Sequence, residues 1–187
     1  MSQIFQVRDT PLLGLRVLER SPALDDRGFL ERLYELGELD PLIGEVQIAQ
    51  VNRSRTTKRG TVRGLHYQAP PHAEAKLVTC LRGEVFDVAV DVRNGSPTFL
   101  QWHGELLSEV KHSTLVIPAG FAHGFQTLSD NSELLYLHSE PHVPSSEGAI
   151  NPQDPRIAIS WPEPISLMST RDSSQPMLTD AYRGLTL

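Results

Sequence analysis

The residues of this chain best suited to chemistry are ionisable groups set inside or at the edges of apolar segments. They are Arg63 and His66 in TVRGLHYQ, Lys76 at the start of KLVTCL, Asp87 in VFDVAVDV, His123 in IPAGFAHGF and Tyr136 in ELLYLH. Such groups can move protons and hold charge if a fold brings them to one place. Each also has a structural reading. Lys76 or Arg63 alone can be a charge at a sheet edge. His66 and His123 can be core histidines bonded to carbonyl groups, and Tyr136 a core aromatic. Asp87 fits such a reading least, because a carboxylate among Val85, Phe86, Val88 and Val90 is costly to bury without a partner. GxxxxGK[ST], GxGxxG and GxSxG are absent from the sequence, which argues against hydride transfer on a dinucleotide fold and against serine hydrolysis.

The segments that carry these groups read as β-structure. Gly and Pro are scattered along the chain, and the stretches between them are short and rich in Val, Leu, Ile, Thr and Phe. In VFDVAVDVR (85–93), Phe86, Val88, Val90 and Val92 alternate with Val85, Asp87, Ala89 and Asp91, the pattern of a strand with two different faces. KLVTCL (76–81) and the turn signal Arg82-Gly83 precede it, so an antiparallel hairpin is expected over 76–93. Further strands are expected at Gly14–Leu18, Phe29–Tyr34, Val46–Val51, Gln101–Leu107, Ser113–Ile117, Gly124–Ser129 and Glu133–Ser139. Eight or more short strands with turns between them predict an all-β jelly roll or related barrel, in which every second residue points inward and the ionisable groups can converge on a cavity. Helix is expected only as a turn near Asp40–Leu42 and a short C-terminal helix over Gln175–Tyr182, capped by Ser174 with Pro176 in its first turn. The Pro-rich stretch 140–156 reads as an ordered surface loop, leaving one domain over 1–187.

The 187 residues, 39% hydrophobic and 21% charged, suit one soluble domain with a real core. The 17 basic and 23 acidic residues give a net charge of −6 with no block of either sign, which argues against a nucleic-acid partner but allows a small phosphorylated ligand held by a few basic groups. The single cysteine, Cys80, cannot form an internal disulfide. The N-terminal residues show no signal-peptide pattern, and no window approaches the ~18 apolar residues of a membrane span. A cytoplasmic protein without a membrane association is expected.

Pro118, Gly120 and His123 in IPAGFAHGF resemble the second motif of the cupin superfamily, which implies a double-stranded β-helix jelly-roll barrel with short peripheral helices. Many cupins hold a metal on an H-x-H pair in their first motif. Here that place reads His66-Tyr67-Gln68, leaving His66 and His123 with His72 or Glu74 as loose extras, short of a convergent ligand set. No metal is expected. A closer resemblance covers nearly the whole chain. QVNRS (50–54), TVRGLHYQAPPHAEAKLV (61–78), VFDVAVDVRNGSPTF (85–99), VIPAGFAHGF (116–125), ELLYLHSE (133–140), SSEGAI (145–150), DPRIAISWP (154–162) and LMSTRD (167–172) are similar, in order and spacing, to the deoxythymidine-diphosphate-4-dehydrorhamnose 3,5-epimerase family.

That resemblance implies a nucleotide-linked 4-keto-6-deoxyhexose as substrate and inversion at C3, C5 or both. The C4 ketone acidifies the neighbouring C–H bonds, so no cofactor is needed. It implies His66 as general base with Asp172 as its carboxylate partner, Lys76 as stabiliser of the enolate, and Tyr136 as the acid on the opposite face of the sugar. It further implies Arg27, Phe29, Glu31, Gln50, Asn52 and Arg63 as binding residues for the nucleotide diphosphate, some of them from a second subunit, in a homodimer with exchanged N-terminal strands. Asp87 and His123 would line the site, with Asp87 placed to pair with Lys76 or Arg63. The family's segment after the acidic tyrosine carries two further tyrosines, one expected to stack on the nucleotide base. This chain reads Leu137, His138, Ser139, Glu140, Pro141 and His142, with His142 left to stack there. Val51, Leu100, Ala119 and Asn151-Pro152 also depart from the family pattern. Two readings from other classes are a metal-dependent cupin and a sugar-nucleotide binder without catalysis.

Overall fold

A computed structural model describes residues 5–35, 39 and 47–187. The expected turn near Asp40–Leu42, and Val46 of one expected strand, lie outside the described residues. The strands are β1 (Phe5–Asp9), β2 (Arg16–Arg20), β3 (Ala23–Asp25), β4 (Gly28–Leu30), β5 (Gln50–Thr56), β6 (Val62–Gln68), β7 (Lys76–Arg82), β8 (Glu84–Asp91), β9 (Trp102–Ser108), β10 (Ser113–Ile117), β11 (Phe121–Thr127), β12 (Ser132–His138) and β13 (Glu147–Ala149). They form a six-stranded sheet ordered β1-β2-β10-β7-β12-β5, a five-stranded sheet ordered β13-β6-β11-β8-β9, and a separate β3-β4 hairpin. From β6 to β12 the chain changes sheet at nearly every turn, which is the jelly-roll path.

The expected 76–93 hairpin is not formed. β7 pairs with β10 and β12 in one sheet, and β8 pairs with β11 and β9 in the other. The Arg82-Gly83 turn is a corner between sheets: Gly83 has φ 75°, and a Cβ there would lie 2.3 Å from Ser129 Oγ. A Gly turn between two strands marks a change of direction but leaves open which neighbours the second strand will bond.

The two faces of β8 are real, and both are covered. Val85 and Ala89 join Val78, Cys80, Leu115, Ile117, Phe121, Phe125 and Leu134 between the sheets. Val88, Val90 and Val92 pack on the outer face beneath Ile150, Ile157, Trp161, Leu178 and Tyr182. That outer cover explains a second correction. The expected Gln175–Tyr182 helix is absent, and the helical turn is α1 (Thr170–Ser173), with Ser169 as N-cap accepting from Asp172 N and Ser174 at its C-cap. Asn151 Nδ2 donates to the carbonyls of Ser173 and Gln175, and Asp154 takes Leu178 N, so the segment spends its backbone groups on the 151–154 loop. The 140–156 stretch likewise holds more than loop: a 3₁₀ turn at Pro144–Ser146 and the edge strand β13 on β6. Among the described residues, no helix is long and apolar enough to cross a membrane.

Candidate active site

The space between the sheets is apolar at one end and opens at the other into a cavity of about 660 Å³. Its two walls bring different chemistry. From the five-stranded sheet come Arg63, His66, Tyr67 and Gln68 on β6 and His123 on β11. From the six-stranded sheet come Gln50, Asn52 and Ser54 on β5, Lys76 on β7, and Tyr136 and His138 on β12, with Glu74 just ahead of β7. His142, Glu147 and Arg171 line it from the loop, β13 and α1.

His66 Nε2 lies 2.8 Å from Asp172 Oδ1. A carboxylate only accepts, so in the neutral imidazole Nε2 carries the proton and Nδ1 keeps its lone pair, the tautomer a general base needs. Asp172 is buried, and its other oxygen accepts from Gly64 N at 3.3 Å. Burial works to raise its pKa, but the His66 bond and charge together with the Gly64 N–H outweigh it and hold the carboxyl below the usual range. The helical turn α1 thus presents one ionised carboxylate to β6.

Tyr136, on the opposite sheet, is bonded through its hydroxyl to Ser54 Oγ at 3.2 Å. Burial pushes its pKa well above the ordinary phenol value, and the Ser54 bond offsets only part of that rise, so the phenol holds its proton at neutral pH. Its ring meets His123 edge-on at 6.1 Å and stacks on His138 at 6.0 Å with a 22° tilt. Lys76 Nζ reaches Glu74 Oε1 at 3.0 Å and the His66 carbonyl at 3.4 Å.

Asp87 is fully buried and pairs with neither Lys76 nor Arg63. Its Oδ1 takes His123 Nε2 at 2.8 Å, because Asp87 and His123 are inward-facing neighbours on the paired strands β8 and β11 while Lys76 is held by Glu74. Asp87 therefore stands behind the cavity wall, and its Oδ2 has no hydrogen-bond partner among the described residues. Gln50, Asn52, Arg63, His123 and His142 do line the cavity. His142 is exposed: its backbone N–H donates to Gln50 Oε1 at 2.9 Å and its ring approaches Glu147. Gln68 ties down this loop, donating to the Pro141 carbonyl and accepting from Val143 N.

Arg27, Phe29 and Glu31 lie outside this chain's cavity. Arg27 pairs with Asp25 on the β3-β4 hairpin, Phe29 is exposed with its ring edge against His112, and Glu31 is held by Arg20 at 2.7 Å and His112 at 3.1 Å. Ser54, His138, Glu147 and Arg171 were given no role from the sequence, and Glu74 only that of a loose extra in a metal-ligand set; the tertiary fold puts all five in the site. His138 and Glu74 did carry a signal, each two residues from a candidate (Tyr136 and Lys76) and so on the same face of the strand or its extension.

An imidazole bonded to a carboxylate on one sheet, and a phenol and an ammonium on the other, set groups able to exchange protons around one cavity of a jelly-roll protein of the cupin type. The chain belongs to the dTDP-4-dehydrorhamnose 3,5-epimerase family, an isomerase family whose sequence profile matches residues 9–180. It is 44% identical over 174 residues to dTDP-4-dehydrorhamnose 3,5-epimerase of Salmonella typhimurium, covering 92% of this chain and 94% of that protein. It is 40% identical over 177 residues to dTDP-4-dehydrorhamnose 3-epimerase of Streptomyces niveus, with 94% and 85% covered. Its structure matches dTDP-6-deoxy-D-glucose-3,5-epimerase of Legionella pneumophila, solved in complex with dTDP-4-keto-L-rhamnose, at a TM-score of 0.91 and 38% identity over 98% of both chains.

Proposed function

We propose that this protein epimerises a dTDP-linked 4-keto-6-deoxyhexose at the carbons flanking the ketone, with dTDP-4-dehydrorhamnose as product. One observation carries the reading: an imidazole and a phenol stand on opposite sheets of a single cavity, His66 on β6 and Tyr136 on β12. Inversion needs a proton taken from one face of the ring and another returned to the other.

In this reading His66 Nδ1 removes the C–H proton, and the electron pair of that bond passes to the C4 oxygen as an enolate. The imidazolium formed is stabilised by Asp172, and Lys76 supplies positive charge beside the enolate oxygen. Tyr136 then delivers its proton to the opposite face, the enolate collapses to the ketone, and the phenolate and imidazolium recover their resting states by exchange with solvent. The C4 ketone supplies the acidity, so the step needs no cofactor. Gln50, Asn52, Arg63 and His142 hold the nucleotide diphosphate. A second copy of the chain completes the site with Arg27, Phe29 and Glu31, in a homodimer. Exposed Leu24, Phe29 and Leu30 on the β3-β4 hairpin support that arrangement, since three large apolar groups on one short hairpin favour a covered surface. A cytoplasmic location agrees with a lone buried thiol, Cys80, whose pKa burial pushes up to about 12.

The test is to incubate the protein with dTDP-4-keto-6-deoxyglucose in D₂O and follow deuterium at C3 and C5 by NMR. Label at both carbons with inverted product is expected. Label at one carbon alone makes the protein a single-centre epimerase, a reading favoured by the Streptomyces niveus relative. No label at either overturns the assignment.

A further inference from the structure

Beside the proposed base, acid and enolate stabiliser lies a further carboxylate–imidazole pair, after His66–Asp172 and His123–Asp87. Glu74 uses both oxygens: Oε1 takes Lys76 Nζ at 3.0 Å and Oε2 takes His138 Nδ1 at 2.8 Å. The other ring nitrogen of His138 lies 3.3 Å from Asn52 Nδ2. Nδ1 therefore donates to Glu74 while Nε2 accepts from Asn52, and the imidazole is held at both ends. All three side chains of the Lys76–Glu74–His138 chain are at most 12% exposed. Burial works to raise the Glu74 pKa, but His138 and Lys76 outweigh it and hold the carboxyl below its usual value.

Strand register explains the cluster. Lys76 is opposite His138 and Val78 is opposite Tyr136 across β7 and β12, so His138 and Tyr136 are same-face neighbours two residues apart, their rings stacked. One buried carboxylate thus anchors the flexible Lys76 stem directly and the Tyr136 ring through His138. We infer that Glu74 and His138 are positioning residues of the reaction, Glu74 fixing Lys76 at the enolate oxygen and His138 fixing the tilt of the Tyr136 phenol against the sugar ring. The inference rests on the epimerase reading above. It is chemically reasonable because displacements of about 1 Å in a reacting group already cost ~10²-fold in rate.

The experiment compares wild type with His138→Ala, His138→Phe and Glu74→Gln on dTDP-4-keto-6-deoxyglucose in D₂O, scoring deuterium entry and inverted product separately. Thermal melts exclude misfolded protein, and His138→Asn takes the place of the alanine variant if that does not fold. With Tyr136 unsupported, His138→Ala is expected to keep exchange within about 3-fold of wild type while inversions per exchange fall about 10-fold or more. His138→Phe restores a ring against Tyr136 and should return that ratio to within about 3-fold of wild type. Glu74→Gln removes the ionic hold on Lys76 and should lower exchange itself through kcat, by about 10-fold, with KM little changed. An unaltered ratio in His138→Ala, a His138→Phe no better than it, or Glu74→Gln with wild-type exchange overturns the positioning roles while the epimerase reading stands. A wild-type protein that exchanges nothing removes the reaction and the positioning roles together.

Discussion

Arg63 and His66 stand three residues apart on β6 yet line the same cavity. Strict alternation would send them to opposite faces of the sheet. The ladder with β11 shifts between them: His66 is opposite His123 and Arg63 is opposite Phe125, so three steps on β6 match two on β11. The extra residue is a β-bulge, and it turns Arg63 back to the side that His66 faces.

The bulge requires glycine. Gly64 has φ 124°, and a Cβ there would sit 2.5 Å from Gly124 Cα and 2.8 Å from the His123 carbonyl oxygen, backbone atoms that cannot swing aside. Gly64→Ala is expected to cost about 3 kcal/mol or more, the range of steric and special-backbone lesions. Urea unfolding measures it, and a variant within about 0.5 kcal/mol of wild type would show that the bulge relaxes freely.

His66→Ala should abolish deuterium entry at every carbon, because removing a positioned base costs about 10²–10⁴-fold. Tyr136→Phe should behave differently: the first proton still leaves, so exchange continues, while inverted product falls. Equal losses of exchange and inversion in Tyr136→Phe would remove its role as the opposite-face acid.

Asp91 makes a prediction about stability and pH. It is fully buried and accepts from Arg93, Ser96 and Thr98. Burial works to raise its pKa, but these bonds outweigh it and bring it down to about 2. A carboxylate with a lowered folded pKa stabilises the fold above its unfolded pKa near 3.8, and the effect is lost as pH falls through the folded value. Asp91→Asn should therefore be less stable than wild type at pH 7 by on the order of 2 kcal/mol, and the gap should shrink to about half by pH 3. Urea titrations at both pH values check this; a gap that does not shrink would place the loss elsewhere than in the charge.

If Arg27 serves the neighbouring subunit, two crippled proteins should repair each other. Mixed dimers of Arg27→Ala and His66→Ala contain one site with an intact His66 from the first chain and an intact Arg27 from the second. After random reassociation of equal amounts, about a quarter of wild-type sites are expected to be whole. Activity no greater than the sum of the separate variants would confine Arg27 to its own chain or to no role.

Much of this protein is written in local sequence. The alternation in VFDVAVDVR set two faces on β8, and both appear, one between the sheets and one under the C-terminal segments. The short strands at 113–117 and 133–139 form within a residue of expectation. The family motifs named His66, Lys76, Tyr136 and Asp172, and the fold brings all four to one end of the sandwich. Tertiary structure decided which strand bonds which. It split KLVTCL and VFDVAVDV between two sheets, gave Asp87 to His123, drew the C-terminal backbone onto the 151–154 loop, and put Glu74 against His138, 64 residues away. The reason is physical: side-chain alternation is a property of one strand and is visible in a few residues, whereas register and buried pairing are set by contacts between segments distant in sequence, each of which satisfies the other's polar groups.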